Sequence, residues 1–331
     1  MVISFIETIE SFKEKKVAVI GDILLDVFMF GEVERVNPEQ PASPLIKILK
    51  EEFILGGAAN VAHNVSKLGT GVSLYGLLGN DMYSQEIAQL CKKHNVDLNG
   101  INIESPTIAK HRLIAHGQQI ARFDTGERNL GEIEKKIYED ILEKLSHRVK
   151  EYDIIVLSDY DKHIFSEFFT REIVKLGQAN NLPVIAAPKP RNTHYFNLCD
   201  LICQNKNEAE SFTGVRYSNG LDTLVNMGKV IHDRLKPKYV VITCGADGAF
   251  SYHNGDTDFI PTVAREVSDV TGAGDTFLAA LSLGIAANLS VHDSARLANY
   301  ASGVAVGKVG THAVSSQELM NYINRDNHNN K

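Results

Sequence analysis

The sequence predicts an α/β fold: a doubly wound, mostly parallel sheet with helices on both faces, plus a small antiparallel β lid. Three observations predict it. From Tyr152 onward, short apolar runs alternate with helical segments, as repeated βα units require. Lys16–Asp22 is near-continuously apolar and ends in Gly-Asp, which suits a strand covered on both sides. Two stretches, 27–54 and 101–123, carry strand-like sequence with no helix between, so they read as antiparallel lid strands.

Taken in order, Phe5, Ile6, Ile9 and Phe12 share one face of a short N-terminal helix, and the apolar strand follows. Val27–Phe30 and Leu45–Leu49 read as strands around the turn-rich 35–41. Gly56-Gly57-Ala58-Ala59-Asn60 opens a helix to Leu68. Val72–Gly79 is a strand, Asp81–His94 a helix, and Leu130–Lys150 a long helix with Glu and Lys at i, i+4 spacing. Strands are expected at 152–158, 182–186, 198–203 and 239–243. Helices are expected at 166–180, 208–213 and 221–235. A hairpin over 249–260, helices 274–288 and 291–308, and a polar, frayed tail from Asn324 complete the chain. No repeat, linker or clean boundary divides it, so 1–331 reads as one unit.

Composition narrows the function. The 331 residues are 44% hydrophobic and 23% charged, ordinary for a globular chain. A formal charge of −7 argues against broad nucleic-acid or anionic-membrane binding. Cys91, Cys199, Cys203 and Cys244 form no C-x-x-C pair and read as buried free thiols. No leader-like start and no charge-free apolar stretch of spanning length is seen, so a cytosolic, reducing location is expected.

The chemistry centres on Asp269-Val270-Thr271-Gly272-Ala273-Gly274-Asp275-Thr276, followed by an apolar run of helix length. Glycines at a helix start let backbone N–H groups approach an anion, and the helix dipole favours one there. A carboxylate beside such a site is unfavourable unless it takes a proton from a hydroxyl while phosphate sits on the N–H groups. Read alone, Asp275 is more often merely a cap on the helix. Asp22 and Asp26, at the first strand's end, could hold sugar hydroxyls or turn the chain. Lys110, Arg112, Gln118, Gln119, Arg122 and Asp124 make a polar, cationic strand face suited to a phosphorylated substrate, or simply a solvated one.

Further strand ends carry polar groups where ligands bind in such sheets. These are Ser158–Lys162, Pro188-Lys189, Asn205–Glu208 and Thr243–Gly248. Asn205 with Glu208 suits a hydrated Mg²⁺, or is a cap with a first-turn acid. Thr243, Gly245 and Gly248 form a compact loop suited to nucleotide phosphates, or a plain turn. Together the signals point to phosphoryl transfer from a nucleotide. No P-loop motif and no G-x-G-x-x-G after the first strand is present.

On these residues the chain resembles the ribokinase (PfkB) carbohydrate kinases over nearly its whole length. Gly272–Asp275, Asn205-x-x-Glu208, Gly56–Asn60 and Gly21–Asp26 carry the likeness. Arg35-Val36-Asn37-Pro38-Glu39, Lys110-x-Arg112, Gln118-Gln119-x-x-Arg122-x-Asp124, Ser158-Asp159-Tyr160-x-Lys162 and Val306–Thr311 are similar to the heptose-7-phosphate kinase subgroup. The resemblance implies ATP, Mg²⁺ and transfer to the anomeric hydroxyl of D-glycero-D-manno-heptose 7-phosphate, in nucleotide-heptose (lipopolysaccharide) synthesis. It implies Asp275 as base and Gly272, Ala273 and Gly274 as the anion hole. Asp26, Gly57, Asn60, Lys110, Gln119, Arg122, Lys162 and Lys189 would meet the sugar phosphate. Asn205 and Glu208 would organise the metal, and Asn205, Thr243, Gly245 and Gly248 would face the nucleotide. A homodimer clasped through the lid strands is implied, and the loop at Asp269 could host a monovalent cation.

Two departures stand out. The subgroup's usual Asp-Pro-Lys-Gly is here Ala187-Pro188-Lys189-Pro190. Many relatives carry a fused nucleotidyltransferase; this chain is too short for one, so activation of the product is expected from another protein. The alternatives are a kinase for another sugar or sugar phosphate, and a catalytically silent nucleotide-binding regulator.

Overall fold

A computed structural model describes residues 5–36, 44–126, 133–218, 220–264, 267–308 and 310–329. In chain order, α1 (Phe5–Ser11) leads into β1 (Lys16–Gly21), then β2 (Ile23–Val36), β3 (Pro44–Gly57) and α2 (Ala58–Lys67). Next come β4 (Gly71–Tyr75), β5 (Leu77–Leu78), α3 (Met82–Lys93), β6 (Val96–Leu98), β7 (Ile101–Asn102), β8 (Ile108–Ala115) and β9 (Gln118–Thr125). The βα run follows: α4 (Lys135–Arg148), β10 (Ile154–Ser158), α5 (Glu167–Ala179), β11 (Val184–Ala187), β12 (Leu201–Asn205), α6 (Lys206–Thr213), α7 (Leu221–Leu235) and β13 (Tyr239–Thr243). The hairpin β14 (Gly248–His253) and β15 (Asp256–Pro261) precedes α8 (Ala273–Ala286), α9 (Val291–Val306) and α10 (Ser316–Asn329).

The main sheet has nine strands in the order β15-β14-β13-β12-β11-β10-β1-β4-β6. Pairing is parallel from β6 through β13, and the terminal hairpin adds antiparallel. Successive side chains of a strand point to opposite faces, and here both faces are covered. Val17, Val19, Ile154 and Val156 pack into one core with α2, α8 and α9. Ala18, Ile20, Ile155 and Leu157 pack into the other with α4, α5 and α7. All four cysteines are buried free thiols.

The separate smaller sheet runs β3-β2-β8-β9. Each of its hairpins is antiparallel, and β2 joins β8 in parallel. Its strands outrun the segments expected at 27–30 and 45–49, because β2 and β3 pair along almost their whole length.

Other boundaries also differ. The expected strand 72–79 breaks at Gly76, where an added Cβ would lie 2.5 Å from the Gly21 carbonyl; β5 then pairs with β7. The helix expected from Leu130 begins at Lys135; residues 130–132 lie outside the described ones. Leu198, expected in a strand, has φ +62° and lies before β12. The tail expected to fray from Asn324 continues α10 to Asn329.

Candidate active site

The connections leave β1 in two directions, through β4 to β6 and from β10 to β13, so β1 and β10 flank a switch point. Asp22 and Asp159 lie just past these strand ends, both buried. Asp22 accepts from the backbone N–H groups of Tyr160 (2.8 Å), Lys162 (3.1 Å) and Ile164 (3.3 Å), and so caps the loop after β10. Asp159 accepts from the N–H groups of Asp161 and Lys189, each at 2.8 Å, and from the Asn192 amide. Burial and the neighbouring Asp22 charge push Asp159 up to about 7, against the pull of those donors.

Asp275 is the third residue of α8. The N-cap is Gly272, held at φ +79°, so the aspartate does not cap the helix. Its Oδ2 accepts from Asn60 Nδ2 at 2.6 Å, and its Oδ1 accepts from the Tyr160 hydroxyl. Asn64 donates to the Asn60 carbonyl at 2.9 Å, and Thr276 donates to Asn64 Oδ1 at 2.8 Å, tying α2 to α8. Desolvation holds the Asp275 carboxyl above the usual carboxylate range; the hydrogen bonds from Tyr160 and Asn60 and the Lys189 charge oppose this. Gly57 sets the entry to α2. At φ +60° an added Cβ would lie 2.4 Å from the Asp22 carbonyl, which accepts from Ala58 N–H at 2.9 Å.

Two hollows meet at Asn205, Thr243 and Gly274. An inner one of 90 Å³ is lined by Tyr160, Lys189, Glu208 and Asp275. An outer groove of 520 Å³ is lined by Gly245, Gly248, Ala273 and Phe277 among others. Gly274 has nothing within 4 Å of an added Cβ, so the corner of α8 opens on free space. Gly245, at φ +64°, starts the tight turn after β13, and Cys244 N–H donates to the Gly248 carbonyl at 2.7 Å.

Asn205 and Glu208 form a reciprocal capping box on α6, with both bonds at 2.9 Å, so the capping geometry is realised. Glu208 also accepts from Lys189 Nζ at 2.5 Å. Among the described residues no three His, Cys, Asp or Glu side chains group as metal ligands. Glu208 lines the inner hollow, and its carboxylate, already accepting from Lys189 and Asn205 N–H, keeps lone pairs with which it would hold a hydrated magnesium ion. Asp269 accepts from Thr271 N–H (2.9 Å), the Thr271 hydroxyl (2.7 Å) and Gly310 N–H (3.1 Å); these donors hold its carboxyl below the usual range.

The smaller sheet supplies a second wall. Asp26 on β2 accepts from Arg112 Nη1 at 2.5 Å and is paired in register with Lys110. Desolvation lowers the Lys110 ammonium, and the Asp26 charge opposes it. Lys110 Nζ lies 5.3 Å and Lys189 Nζ 5.2 Å from the centre of the Tyr160 ring. The fold thus gathers Asp26, Asn60, Lys110, Lys189, Glu208 and Asp275 around Tyr160. Lys162 lies on the same loop, its N–H on Asp22. Gln119 and Arg122 sit on exposed β9, where Arg122 makes a two-pronged pair with Asp124. Of Arg35–Glu39, residues 37–39 lie outside the described residues, as does Val309.

The sequence assigns Tyr160 no role, and it places Arg112 only within the cationic face of its strand, not against Asp26. Their signals were available: Tyr160 follows a strand end by two positions, and Arg112 shares the alternating face of Lys110. Lys189, between Pro188 and Pro190, is fixed through its backbone. Its N–H and carbonyl are held by Asp159 and by Asn192 N–H (3.0 Å) respectively.

A family model described as pfkB family carbohydrate kinase matches residues 14–318. The chain is 35% identical over 314 residues to the "Bifunctional protein HldE" of Haemophilus influenzae (strain PittEE), covering 94% of this chain and 64% of that protein. Against the same-named protein of Sulfurimonas denitrificans it is 35% identical over 312 residues, covering 93% and 64%. The chain therefore spans about 64% of the length of these curated relatives. Among solved structures, the tetrameric inhibited form of phosphofructokinase-2 from Escherichia coli superposes with TM-score 0.77 at 15% identity, over 94% of this chain and 99% of that one. Arabidopsis thaliana ribokinase complexed with ribose and ATP gives 0.74 at 19%, over 93% and 98%. At such identities the likeness is one of fold, the ribokinase-like α/β fold.

Proposed function

We propose, from the premise that the chain belongs to the pfkB family of carbohydrate kinases and is a sugar kinase, that its acceptor is the anomeric hydroxyl of a heptose 7-phosphate. The donor is ATP, and the product is the 1,7-bisphosphate. One observation carries the reading. Asp275 sits where a nucleotide-sized groove meets an inner hollow, its carboxylate oriented by Asn60 and Tyr160, with Lys110 and Lys189 beside it.

In this reading Asp275 takes the proton of the acceptor hydroxyl, and the N–H groups of Gly272 and Gly274, with that of Ala273, which also donates to the Val270 carbonyl at 3.2 Å, receive the moving phosphoryl. Asp26, Gly57 and Asn60 line the sugar's place. Lys110, Lys162 and Lys189, with Gln119 and Arg122 from β9, meet its phosphate. Thr243, Gly245 and Gly248 face the nucleotide. Asn205 and Glu208 hold a hydrated Mg²⁺, which supplies charge neutralisation to the phosphates, and the Asp269 loop is the place for a monovalent cation. The heptose assignment rests on the subgroup motifs, and the 35% identity over most of the chain supports it.

The same reading takes 1–331 as one kinase domain acting in the cytosol, where a reducing milieu keeps the four thiols free. No helix among the described residues is long and apolar enough to cross a membrane. It also takes the protein as a homodimer. Val33, Ile48, Leu49, Ile120 and Phe123 of the smaller sheet are exposed, and β3 and β9 are its edges.

A coupled ADP-release assay tests the substrate. Turnover is expected with D-glycero-D-manno-heptose 7-phosphate; turnover with unphosphorylated sugars alone would overturn the assignment.

A further inference from the structure

We propose that Tyr160 is the positioning residue of the base, its phenol and the Asn60 amide together fixing the plane of the Asp275 carboxylate and favouring its unprotonated form. This rests on the reading of Asp275 as base. Two donors reach the carboxylate from different elements. Asn60, on α2, holds Oδ2; Tyr160, on the loop after β10, holds Oδ1. A carboxylate held on both oxygens cannot rotate freely, so its remaining lone pairs point in set directions.

The loop that carries Tyr160 is itself fixed. Tyr160 N–H is on Asp22, the next N–H is on Asp159, and Asp161 is held at φ +55°. The phenol therefore approaches Asp275 from a set direction. Burial and the Asp275 charge hold the Tyr160 phenol well above its ordinary range, so it remains a donor at neutral pH. Burial would otherwise favour the neutral acid at Asp275, which cannot take a proton. Hydrogen bonds to the charged form work against that. Tyr160 keeps its own proton throughout. As the acceptor oxygen bonds to the γ-phosphorus, its proton passes to Asp275, and the electrons of the broken β,γ P–O bond leave with ADP.

The ring has a second task. Lys110 from the smaller sheet and Lys189 from the β11 loop each hold an ammonium over it, little more than 5 Å from its centre. The ring thereby keeps two cations of the substrate hollow close to the base, through attraction to the ring face. Tyr160 thus reaches the base and both cations.

The test follows the Asp275 carboxyl directly by ¹³C NMR in the intact chain, its resonance identified by loss in Asp275→Asn. In Tyr160→Phe the titration midpoint is expected to move to higher pH. With 3-fluorotyrosine at 160, a near-isosteric and stronger donor that keeps the fold, it is expected to move lower. In turnover, Tyr160→Phe is expected to lower kcat on the order of ten- to a hundredfold and to shift the acid limb of the pH profile upward, with KM for ATP unchanged. A midpoint that stays put under fluorination, or in a folded Tyr160→Phe protein, overturns the proposal. The midpoint needs no substrate, so its movement supports Tyr160 even if heptose 7-phosphate is not turned over.

Discussion

The amide nitrogen of Asn60 lies 2.6 Å from Oδ2 of Asp275, across 215 positions of sequence. Asn60 is itself almost fully buried in the first turn of α2, and Asn64, one turn on, donates to its carbonyl. The contact therefore makes the orientation of the α8 carboxylate depend on how α2 packs against it. Asn60→Ala should lower kcat about tenfold or more, since small misplacements of a reacting group are expensive, with KM for ATP little changed. Steady-state kinetics with varied ATP checks this.

A desolvated base should cost stability. The folded pKa of Asp275 lies above its unfolded value, so the folded state binds more protons between the two. The carboxyl's effect on stability becomes less favourable as pH rises from about 4, the unfolded value, through the raised folded value. Asp275→Asn should accordingly melt at or above the wild-type temperature at neutral pH, and the gap should narrow as pH falls through that window. Calorimetric Tm values at several pH values check the sign.

The two glycines of the α8 corner should separate fold from function. Gly272 is at φ +79°, and an added Cβ would approach Thr311 Cγ2 to 2.9 Å. Gly272→Ala should destabilise by about 1–2 kcal/mol. Gly274 has an open surround and an ordinary helical position. Gly274→Ala should leave Tm unchanged or raise it by up to about 1 kcal/mol of stability, while the methyl intrudes on the phosphoryl's place and turnover falls. Melting curves and kinetics on both variants would check the contrast.

Lys110 should matter more for the acceptor than for ATP. It is partly desolvated, in register with Asp26 and against the Tyr160 ring. Lys110→Met keeps the stem and removes the charge. It should raise KM for the sugar phosphate on the order of tenfold, the effect of about 1.4 kcal/mol of lost binding, with KM for ATP unchanged.

Much of the fold was legible because it is local. The helix 221–235 and the strand 239–243 match the expectation residue for residue, since apolar periodicity and bounding turns fix them without help. What sequence could not display is non-local: the parallel join of β2 to β8 and the break at Gly76 arise from strands meeting in space. The site shows the same division. The glycine corner announced Asp275. That its carboxylate would be gripped by Asn60 and Tyr160, from two other segments, has no sequence period. Asn205 with Glu208 read as metal site or capping box, and local geometry produced the box, which leaves a metal role for experiment.

The central claim is that Asp275 takes the acceptor's proton. The most direct measurement is ADP release by Asp275→Asn with heptose 7-phosphate, alongside ATP affinity by titration calorimetry. A loss in kcat on the order of 10²–10⁴ is expected, with ATP affinity within about twofold of wild type, since the groove around Gly245 and Phe277 is untouched. Full turnover in Asp275→Asn would contradict it.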